Sequence, residues 1–184
     1  MEVTNSIDFY QYVSELEEEY PDHEILFHGT TLNSLKAIAN EGVFIPQKKN
    51  GSDALANHYE PEQFLNYVFF TNDLENAGHY STLACATQGE YDNGNIETIV
   101  GAIIPRQRLL PDLCDATNAK DWVESLQKTR AVSVKGELHL PAANLFLVFV
   151  DYDTGEVLYL TTELDGEKAF AKATELEKAY KTIL

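Results

Sequence analysis

The sequence predicts an α+β fold with a mainly antiparallel sheet and a helix at each end of the chain. Three observations carry this. Apolar residues recur at helical spacing near the start and again at the end. Short runs rich in Val, Ile, Leu and Phe crowd the second half. Asp153-Thr154-Gly155, between two such runs, reads as the turn of a hairpin, which joins antiparallel strands. The 184 residues, 44% hydrophobic and 11% aromatic, suffice for one domain with a real core. No repeat, linker or second domain is visible.

Ser6 to Tyr20 reads as an amphipathic helix with an inward stripe of Ile7, Tyr10, Val13 and Leu16, ended by Pro21. Glu24 to His28 is a short strand. Thr30 or Thr31 caps a second helix whose Leu35, Ile38 and Ala39 share a face, and Gly42 stands where a helix-ending glycine belongs. Val43-Phe44-Ile45 reads as a strand, and the polar stretch Pro46 to Glu62 as a long loop of the kind that often carries function. Tyr67 to Thr71 is a buried strand, after which Asn72 or Asp73 caps a helix reaching about Thr87, and Gly89 to Asn95 is turn-rich. Thr98 to Ile104 is a strong strand closed by Pro105, followed by irregular chain over Arg106 to Asn118. A short helix over Ala119 to Lys128 precedes strands at Ala131–Val134, Glu137–Leu140, Leu145–Tyr152 and Val157–Thr161. The closing helix spans Asp165 to Ile183, with Ala169, Phe170, Ala173, Leu176 and Tyr180 inward.

The net charge of −17, from 13 Lys plus Arg against 30 Asp plus Glu, disfavours contact with nucleic acid, whose phosphates it would repel. It favours a macromolecular partner, if there is one, with a basic surface. No apolar run reaches the roughly 20 residues a membrane helix needs. Met1 to Asn5 lacks the basic-then-apolar pattern of a secretory signal, so the cytoplasm is the expected compartment. Cys85 and Cys114 suit buried thiols in a reducing environment, and no zinc spacing exists. A glycine-rich dinucleotide motif, a phosphate-binding loop and paired zincin histidines are all absent from the sequence, and no metal is expected.

Three features point to chemistry. His28 ends an apolar strand beside Gly29: the imidazole can donate a hydrogen bond to a ligand hydroxyl, and the glycine lets the backbone approach a flat ligand. Phe69 on a strand and Tyr80 on the following helix, where Ala77-Gly78 keeps the helix surface small, can form a slot for an aromatic ring. Glu137 is a carboxylate at the start of an apolar strand. It can bond a ribose hydroxyl and stabilise an oxocarbenium-like transition state. Each feature alone is also what an ordinary core histidine, core aromatic or solvated glutamate would look like.

In this order the three resemble the ADP-ribosyltransferase family, in its His-Tyr-Glu branch with diphtheria toxin and the poly(ADP-ribose) polymerases. Leu26-Phe27-His28-Gly29-Thr30 is similar to the family's first motif, Tyr67 to Thr71 with Ala77 and Tyr80 to the second, and Glu137 to the third. The resemblance runs from about Leu26 to Val150 and implies the ADP-ribosyltransferase-like fold, with split, mainly antiparallel sheets. It implies that NAD is the co-substrate, held by His28, Gly29, Thr30, Phe69 and Tyr80. His28 would hold the adenosine-side ribose, Gly29 the nicotinamide carboxamide through its backbone, and Tyr80 the nicotinamide ring. Glu137 would be catalytic, and the Pro46 to Glu62 loop would lie over the donor. The family's second-motif tyrosine is Phe69 here, which keeps the ring and loses the hydroxyl. Glu97 and Glu163 also flank strands and stay open as alternatives to Glu137.

The expected function is mono-ADP-ribosyl transfer from NAD to a protein acceptor, with release of nicotinamide, as in a bacterial or phage effector. The alternative is a catalytically inactive, acidic protein that keeps the fold and binds a basic partner. RNA 2′-phosphotransfer, which wants arginines on phosphate, and DNA modification are disfavoured by the charge.

Overall fold

A computed structural model describes residues 2–3, 5–46, 66–88, 95–112 and 118–183. Most of the expected Pro46 to Glu62 loop, most of the turn-rich Gly89 to Asn95 stretch, and Cys114 lie outside the described residues. Among the described residues there are ten strands: β1 (Glu2–Val3), β2 (His23–Thr30), β3 (Val43–Phe44), β4 (Tyr67–Thr71), β5 (Ile96–Pro105), β6 (Leu110–Pro111), β7 (Ala131–Lys135), β8 (Leu138–His139), β9 (Leu145–Asp151) and β10 (Val157–Thr161). The helices are α1 (Ser6–Glu19), α2 (Leu32–Glu41), α3 (Leu74–Gln88), α4 (Trp122–Thr129) and α5 (Gly166–Ile183).

Eight strands form one sheet in the order β1-β10-β9-β5-β2-β4-β7-β6, and β3 pairs with β8 separately. Every pairing is antiparallel. The chain is therefore α+β, as its patterning predicts. The strands do not simply follow the helices, however. Early β2 and β4 stand at the middle of the sheet, because their Ile25-Leu26-Phe27 and Val68/Phe70 side chains are apolar enough to be buried there.

Both faces of the sheet are covered. Successive residues of a strand point to opposite faces, and β5 and β9 are apolar at nearly every position. On one face Ile25, Phe27, Ile99, Ile103, Phe146 and Val148 pack with Phe9 and Leu16 of α1 and Leu74 and Ala77 of α3. On the other, Leu26, Phe70, Val100, Leu147 and Phe149 pack with Leu35 and Ile38 of α2, Leu126 of α4, Ala169 and Ala173 of α5, and the β3–β8 ribbon. Burying each large side chain contributes about 1.5–3 kcal/mol. Among the described residues no buried side-chain polar atom lacks a hydrogen-bond partner.

The caps follow local chemistry. Thr31, not Thr30, caps α2 by accepting from Ser34 N–H at 3.2 Å, and Gly42 ends it in the left-handed region at φ 67°. Asp73, not Asn72, caps α3 through Asn76 N–H at 3.0 Å. Two faces are corrected. In α1, Ile7 is 80% and Tyr10 58% exposed, while Phe9 and Leu16 are buried and Tyr12 and Val13 pack against them; the inward stripe is rotated by about one residue. In α5, Phe170 is 40% exposed with Lys36 over its ring, leaving the inward face to Ala169, Ala173 and partly buried Leu176. Small alanines let α5 sit close to α2, where a bulky ring has no room. The Tyr180 side chain lies outside the description.

Candidate functional site

The sheet has a seam. β2 pairs with β5 along its whole length, from His23↔Pro105 to Thr30↔Thr98. With β4 it pairs only at Phe27↔Thr71. Past that point His28-Gly29-Thr30 and the Tyr67–Phe70 part of β4 share no ladder pairing. A five-stranded and a three-stranded half-sheet are thus joined at one register position.

The His28 ring bridges the seam. Its Nδ1 lies 2.9 Å from the Phe69 carbonyl oxygen. A carbonyl only accepts, so Nδ1 carries the hydrogen, and in the neutral ring Nε2 is an acceptor. Burial lowers the His28 pKa below its ordinary 6.5, partly offset by the Phe69 carbonyl, so the neutral form prevails at pH 7. The ring packs edge-on against Phe44 at 5.4 Å and tilted against Phe70 at 5.5 Å. This revises the chemistry expected of His28. Toward a ligand hydroxyl the neutral imidazole acts through Nε2 as an acceptor, not as a donor.

Gly29 faces the opposite side of the sheet and works by its smallness. A Cβ there would lie within 2.5 Å of Ser81 N and closer still to the carbonyl oxygen of Ala77, so only glycine lets α3 lie this close to β2. Thr30 is buried. Its carbonyl accepts from the Ser81 hydroxyl at 2.9 Å and also from the Thr98 hydroxyl, and Ser81 Oγ in turn accepts from Thr98 N–H at 3.0 Å. These buried hydroxyls tie α3 to β2 and β5. Sequence reasoning missed Ser81 and Thr98, since nothing local marks a serine after Tyr80 as a strut.

The position of Tyr80 follows from helix geometry. At about 100° per residue, Ala77 and Ser81 facing β2 put Gly78 and Thr82 on the β5 flank of α3 and Tyr80 on the opposite flank, toward β4. Tyr80 is 40% exposed there. Phe69 alternates with Val68 and Phe70, which both face the α2 side, so its side chain lies on the α3 side with Tyr80. The two aromatics are therefore on one side of the sheet, and the His28 ring is on the other.

Glu137 lies in the link between β7 and β8. Gly136 turns the chain at φ 76° and donates to the Asn66 carbonyl at 2.6 Å. Leu138 then pairs with Phe44, whose ring touches His28. Leu138 is buried, so Glu137 and His139 alternate outward. Their side chains are 3.3 Å apart and 58% and 66% exposed. Glu137 is thus one strand pairing and one ring contact from His28.

The other two carboxylates go elsewhere. Glu163 pairs with Lys168 beside a small cavity lined by Tyr159, Thr161 and Ala169, several strands from the seam. Glu97 packs on the α3 side of β5. A Cβ on Gly78 would overlap its carboxylate, and Thr82 Oγ1 donates to its Oε1 at 3.3 Å. Desolvation, opposed by the Thr82 bond and reinforced by Asp151 and Glu75, raises its pKa to about 7. It lies on the flank of α3 away from Tyr80. Glu137 is linked to His28 through Leu138 and Phe44, Glu97 reaches Gly29 through α3 on the other side of the sheet, and Glu163 stands apart from the seam.

No protein-family model matches the chain, and no curated protein matches it. Among the described residues no group of three or more His, Cys, Asp or Glu could hold a metal, and no helix is long and apolar enough to cross a membrane.

Proposed function

We propose that this protein is a NAD-dependent mono-ADP-ribosyltransferase of the ADP-ribosyltransferase-like fold, acting on a protein acceptor. The observation that carries the reading is the seam at His28-Gly29. It brings together an acceptor imidazole nitrogen, a backbone stretch not paired with β4 and, through Phe44 and Leu138, an exposed carboxylate, while the exposed Tyr80 ring stands on the opposite side of the sheet. These groups match the parts of NAD. His28 Nε2 accepts from a ribose hydroxyl, the Gly29 backbone meets the carboxamide, Tyr80 and Phe69 flank the nicotinamide, and Glu137 bonds the ribose next to it. Thr30 holds the strand end in place.

In the reaction the bond between the ribose anomeric carbon and the nicotinamide nitrogen breaks, and nicotinamide leaves with the electron pair. The Glu137 carboxylate stabilises the positive charge that develops on the sugar. A nucleophilic side chain of the acceptor closes the new bond and loses its proton to solvent. An acceptor with a basic surface suits the charge of −17. The cytoplasm remains the compartment this reading favours.

The test is nicotinamide release from NAD by the purified chain, with Glu137→Gln as control. Equal release by both would remove Glu137 from the mechanism. The loss of the second-motif hydroxyl at Phe69 favours one other reading, a catalytically silent domain that binds a basic protein; no calorimetric heat at millimolar NAD would decide for it.

A further inference from the structure

We infer that Glu97, seated in the notch that Gly78 leaves in α3, is a positioning residue that holds α3 against β5 and thereby sets where Tyr80 stands. This rests on the donor-binding reading of Tyr80 given above.

The geometry is specific. Gly78 lies inside a helix, where glycine is disfavoured relative to alanine. Here the missing Cβ makes room for a carboxyl group from the neighbouring strand. Thr82, one turn on, donates to that carboxyl at 3.3 Å. The same helix is pinned to β2 through Ala77 and Ser81 against Gly29. Tyr80 projects from the far flank, so a roll of α3 away from β5 displaces its ring.

The notch prefers a neutral occupant. Burial is the main effect on Glu97, the Thr82 hydrogen bond opposes it, and the charged groups that act on it, Asp151 on β9 and Glu75 on α3, are both acidic and reinforce it. From β2 the residue next in register is Thr30, paired with Thr98 beside Glu97, and it carries no charge. His79 lies on the outer, exposed face of α3. Protonated, Glu97 sits in the notch with Thr82; ionised, it is drawn toward water and loosens α3. Because the folded pKa of about 7 exceeds the ordinary 4.5, this stabilising contribution is complete below about pH 4.5 and is lost as pH rises through 7.

Hydrogen–deuterium exchange of the 74–88 peptide at pH 6 and pH 8, corrected for intrinsic rates, tests the latch without NAD. Protection in the wild type is expected to fall several-fold between the two. Glu97→Gln should keep α3 protected at both. Gly78→Ala, which fills the notch, should leave it unprotected at both, and it serves as an independent variant if Glu97→Gln misfolds. NAD affinity should weaken several-fold from pH 6 to pH 8 in the wild type and stay level in Glu97→Gln. Wild-type protection that ignores pH, or an unchanged pH response in Glu97→Gln, overturns the latch. Opening of α3 with pH-independent NAD binding overturns its link to Tyr80. A normal α3 response with no NAD binding at any pH sinks the donor reading and leaves the latch standing.

Discussion

The His28 ring hydrogen-bonds the Phe69 carbonyl at 2.9 Å across a gap where β2 and β4 no longer pair. A side chain thus does the work of a ladder bond. The bond also dictates the imidazole tautomer, which leads directly to a measurement. Long-range nitrogen NMR should find His28 neutral at pH 7 with the proton on Nδ1. A proton on Nε2 would contradict the assignment.

The same residue has a pH consequence. Its folded pKa lies below the ordinary 6.5, so below about pH 6.5 the unfolded chain takes up a proton that the folded chain refuses. The neutral His28 therefore contributes stability that is present above pH 6.5 and lost as pH falls through the folded pKa. Urea midpoints at pH 7.5 and pH 5.5 should drop more for the wild type than for His28→Asn. An equal drop would show that His28 is not the group responsible.

Gly29→Ala should be among the most damaging small substitutions. The added Cβ meets the Ala77 carbonyl and the Ser81 backbone nitrogen, neither of which can swing aside. Overpacking of this kind costs about 3 kcal/mol or more when backbone must move. Denaturant unfolding reads it; a loss under about 1 kcal/mol would mean that α3 does not sit on β2 as described.

Tyr80 is 40% exposed, so Tyr80→Ala should leave stability within about 0.5 kcal/mol. If its ring stacks on nicotinamide, worth about 0.5–1.5 kcal/mol, NAD affinity should fall roughly three- to tenfold. Tyr80→Phe should retain it. Titration calorimetry that finds Ala and Phe equivalent would exclude stacking.

Glu137→Gln should fold as the wild type does, since the side chain is 58% exposed. Nicotinamide release should fall by about 10²–10³ with NAD affinity nearly unchanged, as when one transition-state stabiliser is removed. The parallel Glu97→Gln and Glu163→Gln variants locate the catalytic carboxylate: a comparable loss in either, with Glu137→Gln active, would transfer the role.

What the sequence alone determined is local. Gly42 as a helix end, β4 and β10 to the residue, and the antiparallel class all follow from short-range chemistry and alternation, while local chemistry narrows the caps to Thr30 or Thr31 and to Asn72 or Asp73, between which the structure chose. The candidate residues could be named from the sequence because His28-Gly29 stands near the end of an apolar strand, Glu137 follows a glycine turn, and Tyr80 follows the small Ala77-Gly78 step inside α3. The helix faces of α1 and α5 were read wrongly at Ile7, Tyr10 and Phe170, because periodicity gives a stripe but not which neighbour is close enough to cover it. Only the tertiary structure decided the rest. It opened the seam beside His28, turned the imidazole into an acceptor by aiming it at Phe69, and put Phe69 and Tyr80 on one side of the sheet with the His28 ring on the other. It also seated Glu97 in the notch of Gly78. Each of these depends on contacts between residues far apart in the chain, whose geometry no local pattern encodes.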